Sequence, residues 1–298
     1  MTLFRKVGTF LSWILDSEKS LDDFRKKSNW SESQLIEELD RNAEAQQIAL
    51  TAHVFYKEFA SEFISALRSI SQVSKVYIST PSEQIKEQLD SFLSSSRYQY
   101  DVRVTPNRGR NFGPLLVEFS KELLKEKSFI HVHSKKSLHS PDFAADWLSR
   151  NTKLLLSESG IQRIRALTQS DPQIGLAFVD ASDLLYGTNF RWGRSLSIAQ
   201  EIFAKSRGFE KIKWSGRLSF PAGGMFWVKT EAIRPLLEIE WSYEMFPVEE
   251  GQMDGTLQHA IERVIGQLPI SNGFSQAAYI KSQDRFKRVG ANRGSRGE

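Results

Sequence analysis

The sequence predicts an α/β fold, a mostly parallel doubly wound sheet with helices on both faces, preceded by an N-terminal helical extension. Two observations carry this reading. From Gln47 to Asp180, short runs rich in apolar and β-branched residues alternate with segments whose apolar residues recur at helical spacing. Within Val104–Leu138, a strand, a basic glycine-bearing loop, a helix and a second strand follow one another directly. That is a β-α-β unit, whose strands lie parallel.

In residues 2–15, Leu3, Phe4, Val7, Phe10, Leu11, Ile14 and Leu15 share one helical face. Such a helix packs on its own domain or lies in a membrane interface, where Trp13, Arg5 and Lys6 would suit it. Residues 16–46 are charged and read as helical, so 1–46 form the extension. The main domain is expected over 47–280. Residues 48–56 (IALTAHVFY) read as the first strand and 58–71 as a helix. KVYIST (75–80) is the second strand, and Pro81 and Ser82 open a helix to Leu93. The third strand, Tyr100 to Thr105, breaks at Pro106, which has no N–H for a ladder. After the loop NRGRNFG, Pro114 sits at the first helical position. Leu115, Leu116, Phe119, Leu123 and Leu124 then make one apolar face. FIHVHSKKS is the fourth strand. Helices follow at Asp142–Ser157 and about 160–169, then a fifth strand in DPQIGLAFVD (171–180).

The second half is less regular. Tyr186, Phe190, Trp192 and Trp214, among basic residues in 182–219, read as the wall of an open cleft, because aromatic faces stack on sugar rings. Burial is the competing reading for each. LSFPAGGMFWV (218–228) is a two-glycine turn leading into a buried strand, and TEAIRPLL a short helix. Residues 247–266 form an acidic loop and a helix capped by Gly266.

The chain has 298 residues, 40% of them hydrophobic and 26% charged, and no cysteine, which excludes disulfides and thiolate metal sites. No apolar run approaches the ~18 residues of a membrane span, and no secretory leader is evident, so a cytoplasmic location is expected. The formal net charge of +4 is accounted for by residues 281–298, where Lys281, Arg285, Lys287, Arg288, Arg293 and Arg296 outweigh Asp284 and Glu298. This reads as a basic disordered tail, and nucleic acid is not an expected partner.

Three groups of residues carry chemistry. Asn107, Arg108, Gly109, Arg110 and Asn111 precede a helix, whose free N–H groups and dipole would hold an anion together with the arginine forks. The competing reading is a tight turn. The loop is neither GxGxxG nor a P-loop. In HVHSKKS, His131, His133 and Lys135 share one strand face. Lys135 and Lys136 would neutralise a leaving phosphate; alternatively, His131 and His133 would ligate a divalent metal with a third ligand from elsewhere. In the acidic loop, Glu249, Glu250 or Asp254 would take a proton from an attacking hydroxyl, an effect of ~10²–10⁴-fold. Asp254 is equally well placed as a helix N-cap. The NRGRN and HSKKS segments both fall at the carboxyl edge of the sheet, where ligands of such folds bind.

On these residues the chain resembles the rhamnan synthesis protein F family of bacterial polysaccharide-assembly proteins. AHVFY, YIST, NRGRNFGPLL, HVHSKKS, FPAGGMFWV and EEGQMDGTLQHAIER carry the likeness across residues 47–266. The resemblance implies a GT-A-like glycosyltransferase. The donor would be a nucleotide sugar, rhamnose or another deoxyhexose among the options. The acceptor would be a growing cell-surface polysaccharide or a lipid-linked glycan such as lipopolysaccharide. It places His53 and Tyr56 near the nucleotide, Arg108, Arg110, Lys135 and Lys136 on the diphosphate, and His131 and His133 on the donor or a metal. Gly223, Gly224 and Trp227 fall on the acceptor side, and Glu250 or Asp254, beside Glu249, activates the acceptor. The family's loop reads NRGRD where this chain has Asn111. HVHSKKS stands where GT-A enzymes carry Asp-x-Asp, so a need for Mg or Mn is left open. The expected location is cytoplasmic, with peripheral contact at the inner face of the plasma membrane through residues 2–15 as an option outside the resemblance, and other glycosyltransferases as partners. A catalytically silent glycan-binding partner in an assembly complex is the alternative.

Overall fold

The computed structural model describes residues 48–134, 141–181, 190–204, 206–252 and 254–289, with backbone only at 141–145. The expected N-terminal extension, Lys135, Lys136, Tyr186 and the end of the tail lie outside the described residues. Eight strands form one sheet: β1 (Ile48–His53), β2 (Val73–Thr80), β3 (Gln99–Val104), β4 (Ser128–His133), β5 (Ile174–Val179), β6 (Phe226–Lys229), β7 (Ser275–Ile280) and β8 (Arg285–Val289). Their order is β3-β2-β1-β4-β6-β5-β7-β8. β1–β2, β2–β3, β1–β4 and β5–β7 pair in parallel; β6 runs antiparallel between β4 and β5, and β8 antiparallel to β7.

Among the described residues the α-helices are α1 (Lys57–Leu67), α2 (Glu83–Leu93), α3 (Phe112–Leu123), α4 (Pro141–Leu155), α5 (Glu158–Ser170), α6 (Ser195–Phe203), α7 (Thr230–Leu237) and α8 (Leu257–Ser271). Apolar side chains of α1, α2, α4 and α5 pack on one face of the sheet, and those of α3, α6, α7 and α8 on the other. This double cover explains why β1 is buried at every position. Leu50 and Ala52 enter the first layer, while Ala49, Thr51 and His53 turn to the α3 side. Ser82 caps α2 by accepting from Ile85 N, and Ser157 caps α5 by accepting from Gly160 N.

Several expectations are corrected. α3 begins before Pro114, because the Gly109 carbonyl accepts from both Phe112 N and Gly113 N and closes the turn early. Gly266 is no cap: α8 runs through it to Ser271, and a Cβ there would lie 2.3 Å from Phe220 Cβ. The basic tail is not disordered throughout, since 285–289 pair with β7 and Phe286 packs against Tyr279. Phe190 and Trp192 are buried, and Trp192 packs on Trp214 at 5.1 Å between ring centroids, so these aromatics form core and not a cleft wall.

From β1 the chain steps outward through β2 to β3, then returns to place β4 on the other side of β1. The carboxyl ends of β1 and β4 therefore flank the topological switch point, the crevice where open α/β sheets bind ligands.

Candidate functional site

Two register pairs sit at this crevice, Thr51 with His131 and His53 with His133. The Thr51 hydroxyl donates to Ile130 O at 3.2 Å, which leaves its oxygen to accept from His131 Nδ1 at 2.7 Å. His131 Nε2 then accepts from Asn111 Nδ2 at 3.1 Å, and the same amide reaches Gly224 O. These partners assign His131 to the neutral Nδ1–H tautomer. Burial, then repulsion from His133 and His53, holds its pKa well below the usual imidazole value. His53 Nδ1 lies 2.9 Å from Ser79 Oγ, and burial, then repulsion from His133, lowers its pKa to about 3. Both rings are neutral at physiological pH. His133 differs: Nδ1 faces Ser134 O and Nε2 faces Gly223 O. Carbonyls only accept, so both bonds together require an N–H on each nitrogen.

One amide, Asn111, thus ties the NRGRN loop, the HVHS strand end and the two-glycine turn together. The loop itself is tightly wound, with φ +72° at Gly109 and +52° at Arg110. Glycine accepts such a backbone freely, whereas a non-glycine residue held in the left-handed region costs ~1 kcal/mol or more. A Cβ on Gly109 would lie 2.6 Å from the Phe246 ring. Asn107 at the tip is exposed.

The predicted anion site at the start of α3 is not formed as expected. Phe112 N and Gly113 N are taken by Gly109 O, Pro114 has no N–H, and Leu115 N is bound to Asn111 O. Arg108 donates to Phe246 O at 2.6 Å. Arg110 donates to Glu249 Oε2 at 3.0 Å, to His259 Nε2 at 3.2 Å and to Gln252 O. Both arginines therefore join the NRGRN loop to the acidic loop, which Arg108 and Val248 also bridge through their backbones. The Arg110 side chain remains 37% exposed.

The three acidic candidates separate. Glu249 accepts from Arg110 and, at 2.8 Å, from Gln258 Nε2. Glu250 is exposed, with its backbone N–H held by Gln252. Asp254 caps neither its own helix nor an open cleft. It accepts from Arg194 N and Ser195 Oγ at the start of α6, and its carboxylate lies 3.1 Å from Arg263. Burial works to raise its pKa, but Ser195, Arg263 and the backbone N–H groups of Arg194 and Gly255 outweigh that and lower it. A carboxylate with its oxygens so engaged is a poor proton acceptor.

Gly223 and Gly224 adopt φ +91° and +81°. Added Cβ atoms would lie 2.2 Å from Trp147 and 2.7 Å from Asn111 Nδ2, so both positions require glycine. Trp227 is corrected: it lies in the layer opposite the histidines, because β6 turns Phe226 and Val228 towards α3. The sequence reading missed Glu262, which accepts from Gly223 N at 2.6 Å, and His259, whose Nδ1 meets Thr256 Oγ1 at 2.7 Å. Their spacing on α8 with Gln258 was the available signal. Tyr56 stands just before α1, edge-on to Phe55 at 5.0 Å.

His131 and His133 do not fit a divalent cation. Both nitrogens of His131 have partners, and both of His133 face carbonyl oxygens. Among the described residues no group of three His, Asp or Glu side chains is placed to hold a metal. Nor, among them, is any helix long and apolar enough to cross a membrane.

The sheet order, the single antiparallel strand beside β4 and the crevice at the β1/β4 switch point define a GT-A-like α/β domain. The profile described as rhamnan synthesis protein F matches residues 18–274. The chain belongs to that family. Two curated relatives, each named "Uncharacterized protein WxcX", come from Xanthomonas campestris pv. campestris strains B100 and ATCC 33913. Each is 30% identical over 216 residues, 72% of this chain, and the chain spans 30% of the length of each.

Proposed function

We propose that this domain transfers a sugar from a nucleotide-sugar donor, with rhamnose or another deoxyhexose the favoured cargo. The acceptor would be a growing cell-surface polysaccharide or a lipid-linked glycan. The observation that carries the reading is the convergence at the switch point of the NRGRN loop, the histidines at the ends of β1 and β4 and the Gly223–Gly224 turn, with Asn111 bonded to both His131 and Gly224. The strained backbone of Arg110 supports it, since such outliers gather at functional sites. The donor's diphosphate would draw Arg110 from Glu249, joined by Lys135 and Lys136 from the segment after β4. Fixed positive charge in a partly dry crevice then stabilises the departing diphosphate. Exposed Glu250 is better placed than Asp254 to accept the acceptor's proton. Tyr56 would border the nucleotide, while His53, neutral and buried, shapes the crevice floor.

One observation favours a second reading, a catalytically silent glycan-binding partner. Arg108, Arg110, Glu249 and Asp254 all have partners within the fold. Donor hydrolysis and transfer by wild type, Lys135→Ala and Glu250→Ala separate the two. Turnover in wild type that falls in both variants supports the transferase; equal background in all three supports the silent partner.

A further inference from the structure

The two edges of the sheet are built differently. β8 carries Arg285, Lys287 and Arg288 along its exposed length, the charged guard that prevents unwanted strand pairing. β3 carries neither lysine nor proline, and Tyr100 and Val104 are each 39% exposed. The bond from Thr105 N to Thr80 O fixes the alternation along β3. The N–H and C=O groups of Arg103 and Asp101 face β2, and those of Tyr100, Val102 and Val104 face outward.

The segment Tyr100-Asp101-Val102-Arg103-Val104 is self-complementary about Val102. In an antiparallel pair of two copies centred there, Val102 opposes Val102, Tyr100 opposes Val104, and Asp101 opposes Arg103. The outward-facing groups of residues 100, 102 and 104 then exchange hydrogen bonds pair by pair. Asp101 and Arg103 fall at the non-hydrogen-bonded positions, where opposed side chains approach closest. Within one copy Arg103 already meets Asp101 at 2.6 Å, so pairing continues an existing charge cluster. We propose that β3 is the contact between two copies of this chain, joining their sheets across a two-fold axis at Val102. The occupant is a second copy because opposite charges and exposed apolar residues match only when this strand meets itself in that register. A six-residue strand makes a small contact, so the dimer is a weak, concentration-dependent one.

Sedimentation equilibrium of the full chain from about 1 to 100 μM tests this. Wild type is expected to show a reversible monomer–dimer equilibrium. The double variant Tyr100→Lys, Val104→Lys sets lysine against lysine in both outer pairs and is expected to weaken the dimer at least ~tenfold. Tyr100→Glu, Val104→Lys sets opposite charges there and is expected to restore dimerisation, weakening with added salt. Both positions are exposed, so unchanged circular dichroism and melting temperature verify the fold. A wild type that stays monomeric across this range overturns the proposal. So does a dimer indifferent to the two lysines, or a glutamate–lysine variant no tighter than the lysine pair.

Discussion

Replacing Asn111 by Asp tests the link between the NRGRN loop and the strand carrying the histidines. In wild type His131 is buried and neutral, so its folded pKa lies well below the unfolded value. As pH falls below ~6.5 the unfolded chain takes up a proton that the folded chain refuses, and stability is lost at ~1.4 kcal/mol per pH unit. His53 adds an equal slope, reaching down to its folded pKa of about 3. A carboxylate at position 111 would stand where the amide now lies 3.1 Å from Nε2 and favour the imidazolium by about 4 kcal/mol, roughly three pKa units. The His131 share of the slope then shrinks. Urea unfolding at about pH 7, 6 and 5 should give wild type a steeper pH slope than Asn111→Asp. Asn111→Ala should keep the wild-type slope but lose ~1–3 kcal/mol at every pH, the cost of an unsatisfied buried acceptor. Equal slopes in wild type and Asn111→Asp would refute the reasoning. So would nitrogen-resolved NMR showing Nε2 of wild-type His131 protonated at neutral pH.

Three further outcomes follow from the same geometry. Asp254→Ala should cost ~2–4 kcal/mol in urea unfolding, because it strands Arg263, which is buried, and uncaps α6. Nucleotide binding should persist in that variant once it is folded; loss of binding at unchanged stability would return Asp254 to the site. Gly109→Ala should destabilise by ~2 kcal/mol or more in thermal unfolding, since a Cβ meets both a left-handed backbone and the Phe246 ring. Arg110→Gly should be about 1 kcal/mol more stable than Arg110→Ala, as it relieves the strained φ, and a reversed order would show that the strain is not there.

The first half of the fold was legible because its physics is local. β1 and β5 are short apolar runs buried on both sides, and α2 and α5 open on serine caps. What was not legible depends on partners distant in sequence. RFKRV reads as a basic tail until β7 is present to pair with it. Gly266 reads as a helix cap because the Phe220 segment that demands its small size lies far along the chain. Trp227 reads as an acceptor-side residue because its face is decided by the register of β6 against β4, and not by composition. In the site, the spacing of His131 and His133 was visible, and so was the shared edge with NRGRN. The partners were not. Arg110 looked available for phosphate until Glu249, more than a hundred residues later, was found against it. Asp254 looked like a cap for its own helix but caps another.

Calorimetric titration of the full chain with nucleoside diphosphates and their sugars, beside Arg110→Ala, tests the central reading most directly. Saturable binding by wild type, weakened at least ~tenfold in the variant, is the predicted result, the loss of one charge-assisted contact. Equal affinity in both proteins, or no binding of any nucleoside diphosphate, would contradict it.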